Sequence, residues 1–198
     1  MTRAQRDLAT SAAPAVVEPS ATVEPPMTAD LMRRTLSHFA TGVTVITGTG
    51  DDGPVGFACQ SFASVSLDPP LVMFCADHRG RTWPVIREAG HFAVNVLGEH
   101  QLTVCQAFGS RHGTKFDAVE WTLSAWGAPV LADCIATIHA HIETVHTAGD
   151  HDVVIGRVVG LEVGDGREPL LFYRGTFGIG GPALSLAPVA WGWRDHWW

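Results

Sequence analysis

Residues 56–71, GFACQSFASVSLDPPL, constrain the fold of this chain more than any other stretch. Small residues and hydroxyls stand where a buried sheet segment would normally carry Val, Ile and Leu, and the run stops at the rigid Asp68-Pro69-Pro70 turn. Ala58, Ser61, Ala63, Ser64 and Ser66 leave room and offer hydrogen bonds. The segment reads either as a strand-borne cradle for something flat with polar edges or as a serine-rich edge strand facing solvent.

The rest of the chain alternates mostly at strand period. Residues 43–47 are a β-branched run, Asp51-Asp52-Gly53-Pro54 is turn chemistry, and 55–61 return as the second arm of an antiparallel hairpin with a longer loop. Further strands are expected at 71–75, 92–97, 135–146, 153–163 and 170–173. One helix should start at a Thr28 or Asp30 cap, run through Leu36 and Phe39 to Gly42, and lay its apolar face on the sheet. A second is expected over 81–89, with Pro84 in its first turn and Gly90 as its stop, and a third over 99–108 before a polar surface loop at 109–114. Short strands with a few small helices between them indicate a mainly β fold, a closed or partly closed barrel.

At 198 residues the chain suits one domain. Pro14, Pro19, Pro25 and Pro26 forbid a helix in residues 1–28, which read as a disordered tail ahead of a domain at 29–180. Residues 181–198 form a second tail carrying Trp191, Trp193, Trp197 and Trp198, which either drapes over its own domain or a neighbouring subunit, or serves as a lid or docking surface. A net charge of −7 with Lys115 as the single lysine argues against a nucleic-acid partner, and no apolar run is long enough to span a bilayer. Cys59, Cys75, Cys105 and Cys134 form no C-x-x-C pair, and with no secretory signal they are expected to be reduced thiols in a cytoplasmic protein.

Two patterns mislead. Gly48-Thr49-Gly50-Asp51-Asp52-Gly53 spells the dinucleotide fingerprint G-x-G-x-x-G, but Pro54 and a β-rich run follow it, so no helix N-terminus is there to hold a pyrophosphate. It is a hairpin turn. His139, His141, His146 and His151 suggest a metal, yet no cysteine or carboxylate joins them at zinc-like spacing, and no metal site is expected.

Several separated pieces resemble the flavin reductase-like family, split-barrel proteins that supply reduced flavin to two-component monooxygenases. They are Phe39-Ala40-Thr41-Gly42-Val43-Thr44-Val45-Ile46-Thr47, the cradle, Arg81-Thr82-Trp83, Phe92-Ala93-Val94-Asn95-Val96-Leu97, Phe108-Gly109-Ser110 before Lys115-Phe116, Gly149-Asp150-His151, and Leu170-Leu171-Phe172-Tyr173-Arg174-Gly175. The resemblance implies a split β-barrel with a few short peripheral helices. It also implies that Cys59 and Gln60 touch FMN or FAD, with Ser61, Ser64 and Ser66 beside them, and that Pro54, Val55, Gly56, Phe57 and Ala58 approach the nicotinamide of NADH or NADPH. Phe74, Cys75 and Ala76 on the next strand are implied as cofactor contacts too.

Arg81 and Thr82 open the second helix, where free amide donors and a guanidinium suit a phosphate. The family usually has a serine where this chain has Gly80, so a backbone N–H is expected to stand in for a hydroxyl. His151 sits in a loop at the mouth of a strand, and the resemblance places it beside the nicotinamide. Tyr173 and Arg174 are implied near the pocket, with Arg174 either pairing a phosphate or closing a salt bridge. The expected activity is hydride transfer from NAD(P)H to flavin, by a homodimer serving a separate monooxygenase that hydroxylates aromatic or steroid rings. The alternatives are a split-barrel flavin carrier or sensor without nicotinamide turnover, and, more distantly, a flavin oxidase of the pyridoxamine-phosphate type.

Overall fold

A computed structural model describes residues 26–110, 115–165 and 167–178. The tails at 1–25 and 179–198, with their four late tryptophans, and most of the polar loop after Ser110 lie outside the described residues.

A seven-stranded antiparallel sheet organises the chain. Its strands are β2 (Thr44–Gly50), β3 (Gly53–Cys59), β4 (Ala63–Leu67), β5 (Pro70–Asp77), β6 (His91–Val96), β9 (Ala136–Ala148) and β10 (His151–Val163). Their spatial order is β3-β2-β6-β9-β10-β5-β4. β3 and β4 are the two edges of this sheet, yet only residues 60–62 join them, so the sheet curls until its edges meet. Ser61 in that link extends the β4–β5 register through its side chain, accepting from Cys75 N–H at 2.8 Å and donating to Cys75 C=O at 3.3 Å. β1 (Thr41–Gly42), β11 (Leu171–Tyr173) and β12 (Thr176–Phe177) make a separate three-stranded sheet, and β7 (Trp121–Leu123) with β8 (Pro129–Leu131) makes a hairpin.

β2 is buried on both faces from Thr44 to Gly48, which is why its sequence is a continuous β-branched run and not an alternation. Ile46 joins one core cluster with Phe74, Trp83, Ile86, Phe92 and Val154. Val43 and Val45 join a second with Leu97, Cys105, Phe108 and Leu131. Helix α2 (Thr82–Ala89) covers the first cluster, and α3 (Leu102–Gly109), entered through a 3-10 turn at Glu99–Gln101, covers the second. Between them Asn95, fully buried, accepts from Leu131 N–H at 2.9 Å and donates to Val45 C=O and Thr47 Oγ1, so this polar side chain is satisfied where it is buried. At Gly156 a Cβ would lie 2.5 Å from the Phe92 ring, and its absence lets that ring cross the sheet.

Three expectations change. Helix α1 (Ala29–Leu36), capped by Thr28 Oγ1 accepting from Leu31 N–H, ends at Leu36, not Gly42, and buries none of its residues on the barrel. The β2–β3 connection is a tight turn at Asp51-Asp52, with Gly53 at φ 116°, not a longer loop. β4, the β7–β8 hairpin and β12 escaped the pattern, because strands of two to five residues carry too few alternations to register. The G-x-G-x-x-G run is the end of β2 and this turn, as its Pro54 demanded.

A cleft between the cradle, helix α2 and the β9–β10 turn

A cleft of about 1280 Å³ opens where the β3–β4 segment, the C-terminal end of β5, the start of α2 and the β9–β10 turn meet. Pro54, Val55, Gly56, Phe57, Ala58, Cys59, Gln60 and Ser61 line one wall. Cys75, Ala76, Gly80, Arg81 and Thr82 line the opposite one, and His151 stands at the mouth with Asp150. Residues separated by nearly 100 positions in sequence thus converge because β5 pairs with β10, setting Asp77 opposite His151.

Five expected contacts lie elsewhere. Ser64 and Ser66 are on β4, which runs antiparallel to β5 from Ala63 opposite Met73 to Leu67 opposite Pro70, and so leads away from the cleft. Phe74 alternates inward on β5 and is fully buried, its ring packed edge-on against Phe57, Trp83 and Phe92. Tyr173 and Arg174 belong to the small sheet, where Arg174 adopts φ 49° in the β11–β12 turn and donates its N–H to Ser37 C=O. The Ser61 hydroxyl lines the cleft while donating to Cys75 C=O and accepting from Cys75 N–H. The Gly80 N–H bonds Asp77 C=O at 2.9 Å, so it does not stand in for the missing serine hydroxyl.

The sequence had pointed to no site role for Lys115, the chain's single lysine. It lines the cleft and donates to Gly56 C=O at 3.0 Å and Phe108 C=O at 3.2 Å. Burial, reinforced by the nearby Arg81 charge, pulls its pKa down to about 8. An ammonium has three N–H donors, so one remains for the cleft. Lys115 and Arg81 together make one end of the cleft cationic in a protein of net charge −7. Thr41, Phe39 and Met32 add a rim from the α1 segment; Phe39 is 73% exposed there.

At the other end, His151 Nδ1 donates to Asp150 Oδ1 at 2.7 Å, which fixes the tautomer and turns Nε2 away from that carboxylate. Asp77 lies close by. Burial acts to raise its pKa, but hydrogen bonds from the Arg79 side chain and backbone override it, with His151 adding to the effect, and hold the carboxyl at about 2. Cys59 is not a nucleophile in waiting, since burial pushes its thiol up to about 11. Of the other histidines, His139 is fully buried, stacks on Trp126 with ring centres 4.3 Å apart, and bonds Glu162 at 2.9 Å, while His141 faces His91. Among the described residues no group of three His, Cys, Asp or Glu side chains is arranged to hold a metal.

The model of the flavin reductase like domain matches residues 36–181, well over half of the chain. The chain belongs to the flavin reductase-like family. It is 48% identical over 164 residues to the reductase subunit HsaB of a flavin-dependent monooxygenase from Rhodococcus jostii, covering 82% of each chain. Among solved structures it resembles nitrilotriacetate monooxygenase component B from Mycobacterium thermoresistibile, with 46% identity, a TM-score of 0.74, and 77% of this chain and 87% of that one covered. The Streptomyces globisporus NADH:FAD oxidoreductase SgcE6, solved in complex with NAD and FAD fragments, shares 35% identity at a TM-score of 0.72, over 76% of this chain and 92% of its own.

The cleft of this flavin reductase-like chain fits the ring system its family handles. Gln60 Nε2 and Thr41 Oγ1, both lining the cleft, are buried without a hydrogen-bond partner among the described residues, and such groups suit a ligand acceptor or donor. Gly56 has no room for a Cβ, which would lie 2.8 Å from the Phe108 ring and 3.1 Å from Ile46 C=O, so glycine there lets the α3 ring pack directly onto the β3 wall.

Proposed function

We propose that this protein is an NADH-dependent flavin reductase that supplies reduced flavin to a separate flavin-dependent monooxygenase. The observation that carries the reading is the cleft itself, where Gln60 Nε2, with no partner among the described residues, extends the 54–59 wall between a cationic end at Arg81 and Lys115 and an imidazole at His151. Gln60 and the 54–59 wall would bed the isoalloxazine, Arg81, Thr82 and Lys115 would hold the phosphate, and His151 would orient the nicotinamide. Hydride transfer from nicotinamide to flavin is the cofactors' own chemistry, so the protein's task is to align two rings and keep water from between them. No nucleophile and base pair is needed. The similar reductase subunit of a flavin-dependent monooxygenase supports a partner oxygenase, and SgcE6, solved with NAD and FAD fragments, supports this pair of substrates.

We propose further that residues 29–180 are the working unit, that two copies associate as a homodimer, and that the protein is cytoplasmic. Leu67, Leu161 and Val163 are 94%, 69% and 88% exposed and offer apolar surface for a second copy. No described helix is long and apolar enough to cross a membrane. Purified protein mixed with NADH and either FMN or FAD should consume NADH absorbance at 340 nm far faster than the mixture without protein. A rate equal to that background with both flavins, and with NADPH in place of NADH, refutes the assignment.

A further inference from the structure

Asp152 follows His151 on β10 but points the other way, into the barrel, where it is 4% exposed. Its carboxylate accepts four hydrogen bonds. Oδ1 takes His78 Nε2 at 2.9 Å and Thr147 Oγ1 at 3.1 Å, and Oδ2 takes Trp83 Nε1 at 2.9 Å and Arg87 at 3.4 Å. The hydrogen bonds from Trp83 and His78 hold this carboxyl below the ordinary range, against the cost of burying it. Three of the four donors, His78, Trp83 and Arg87, belong to one segment, and they bracket Arg81 and Thr82. The same segment is tied at its start by the His78 N–H donating to Asp150 C=O at 3.1 Å.

We propose that Asp152 is a positioning residue that fixes the entrance of α2, and with it Arg81 and Thr82, at the distance from the cleft wall that a flavin phosphate requires. The inference rests on the phosphate reading above. One rigid carboxylate couples the strand that carries His151 to the helix that carries Arg81, so the two ends of the cleft keep their spacing. Asparagine in its place offers one acceptor oxygen for four donors and sets an N–H₂ against two of them. The helix entrance would then loosen while the small-residue wall, which belongs to β3, stays as it is.

The test measures dissociation constants for FMN and for riboflavin, which lacks the phosphate, by flavin fluorescence in the wild type, Asp152→Asn, Trp83→Phe and Arg81→Ala. Wild type should prefer FMN. Asp152→Asn should weaken FMN by roughly 10-fold, the scale of one hydrogen bond to a charged group, with riboflavin unchanged. Adding Asp152→Asn to Arg81→Ala should cost little more. Trp83→Phe keeps an aromatic ring of smaller size and removes one donor, so a smaller loss of the same kind is expected even if Asp152→Asn fails to fold. Equal weakening of FMN and riboflavin, no weakening of either, or additive losses with Arg81→Ala overturns the role of Asp152. A wild type that binds the two flavins alike would instead remove the phosphate site itself, and this inference with it.

Discussion

Titrating Lys115 should switch phosphate affinity on and off. With a pKa of about 8, the side chain is charged in about nine-tenths of molecules at pH 7 and about one-tenth at pH 9. Arg81 stays charged throughout, and an FMN phosphate is already a dianion above pH 7, so neither changes over this window. An ammonium-phosphate hydrogen bond worth about 1.5–3 kcal/mol would raise the lysine pKa in the complex by roughly one to two units. The sign follows directly: the bound state holds the proton more tightly, so affinity is full below pH 8 and is lost as pH rises through it. FMN binding should weaken about 10-fold per pH unit above 8 and level off near pH 9–10, a total of roughly 10- to 100-fold. Fluorescence titrations between pH 6.5 and 10.5 test this. Riboflavin should show no such slope, and Lys115→Met, which keeps most of the stem, should bind FMN weakly with a flat profile. A flat wild-type profile, or the same slope in Lys115→Met, refutes the assignment of this lysine to the phosphate.

Three further outcomes are expected. His151→Ala should raise KM for NADH several-fold more than KM for flavin in steady-state assays, and equal changes in both would deny it a place beside the nicotinamide. Gly156→Ala should cost about 1–3 kcal/mol in urea unfolding, because the new methyl meets the buried Phe92 ring and the Ala140 Cβ, and an unchanged midpoint would show that the sheet yields there. Cys59 and Cys105, both buried and with thiols that burial pushes up to about 11 and 12, should resist a disulfide reagent at pH 8 in the native protein and react on unfolding. Prompt native labelling of these two would contradict their burial.

The long periodic elements were legible from residue order because each carries its own signal. Gly90 stops α2 in a left-handed conformation at φ 73°, and the thirteen residues of β9 and of β10 repeat often enough to register. That residues 54–61 form one continuous cleft wall was legible too, since they fall on a single strand and its end. What could not be read was direction. Serines 64 and 66 look like a continuation of Ser61, yet the β4 bulge and its pairing with β5 carry them away from the cleft. Lys115 was visible as the only lysine, but its partners, Gly56 and Phe108 carbonyls, are set by how α3 lies on β3. Likewise three of the four Asp152 hydrogen bonds join residues 65 to 74 positions apart, a separation over which no local pattern reports.

A solitary side-chain amine in a cleft, with its proton loosened, is also a chemical address. Acylating reagents used near pH 8 find on this chain no other lysine, only the α-amino group, as a competing amine. Whatever fills the cationic end of the cleft would shield Lys115 from them, so the rate of its acylation, read by mass spectrometry of the peptide that carries it, gives a label-free measure of cleft occupancy.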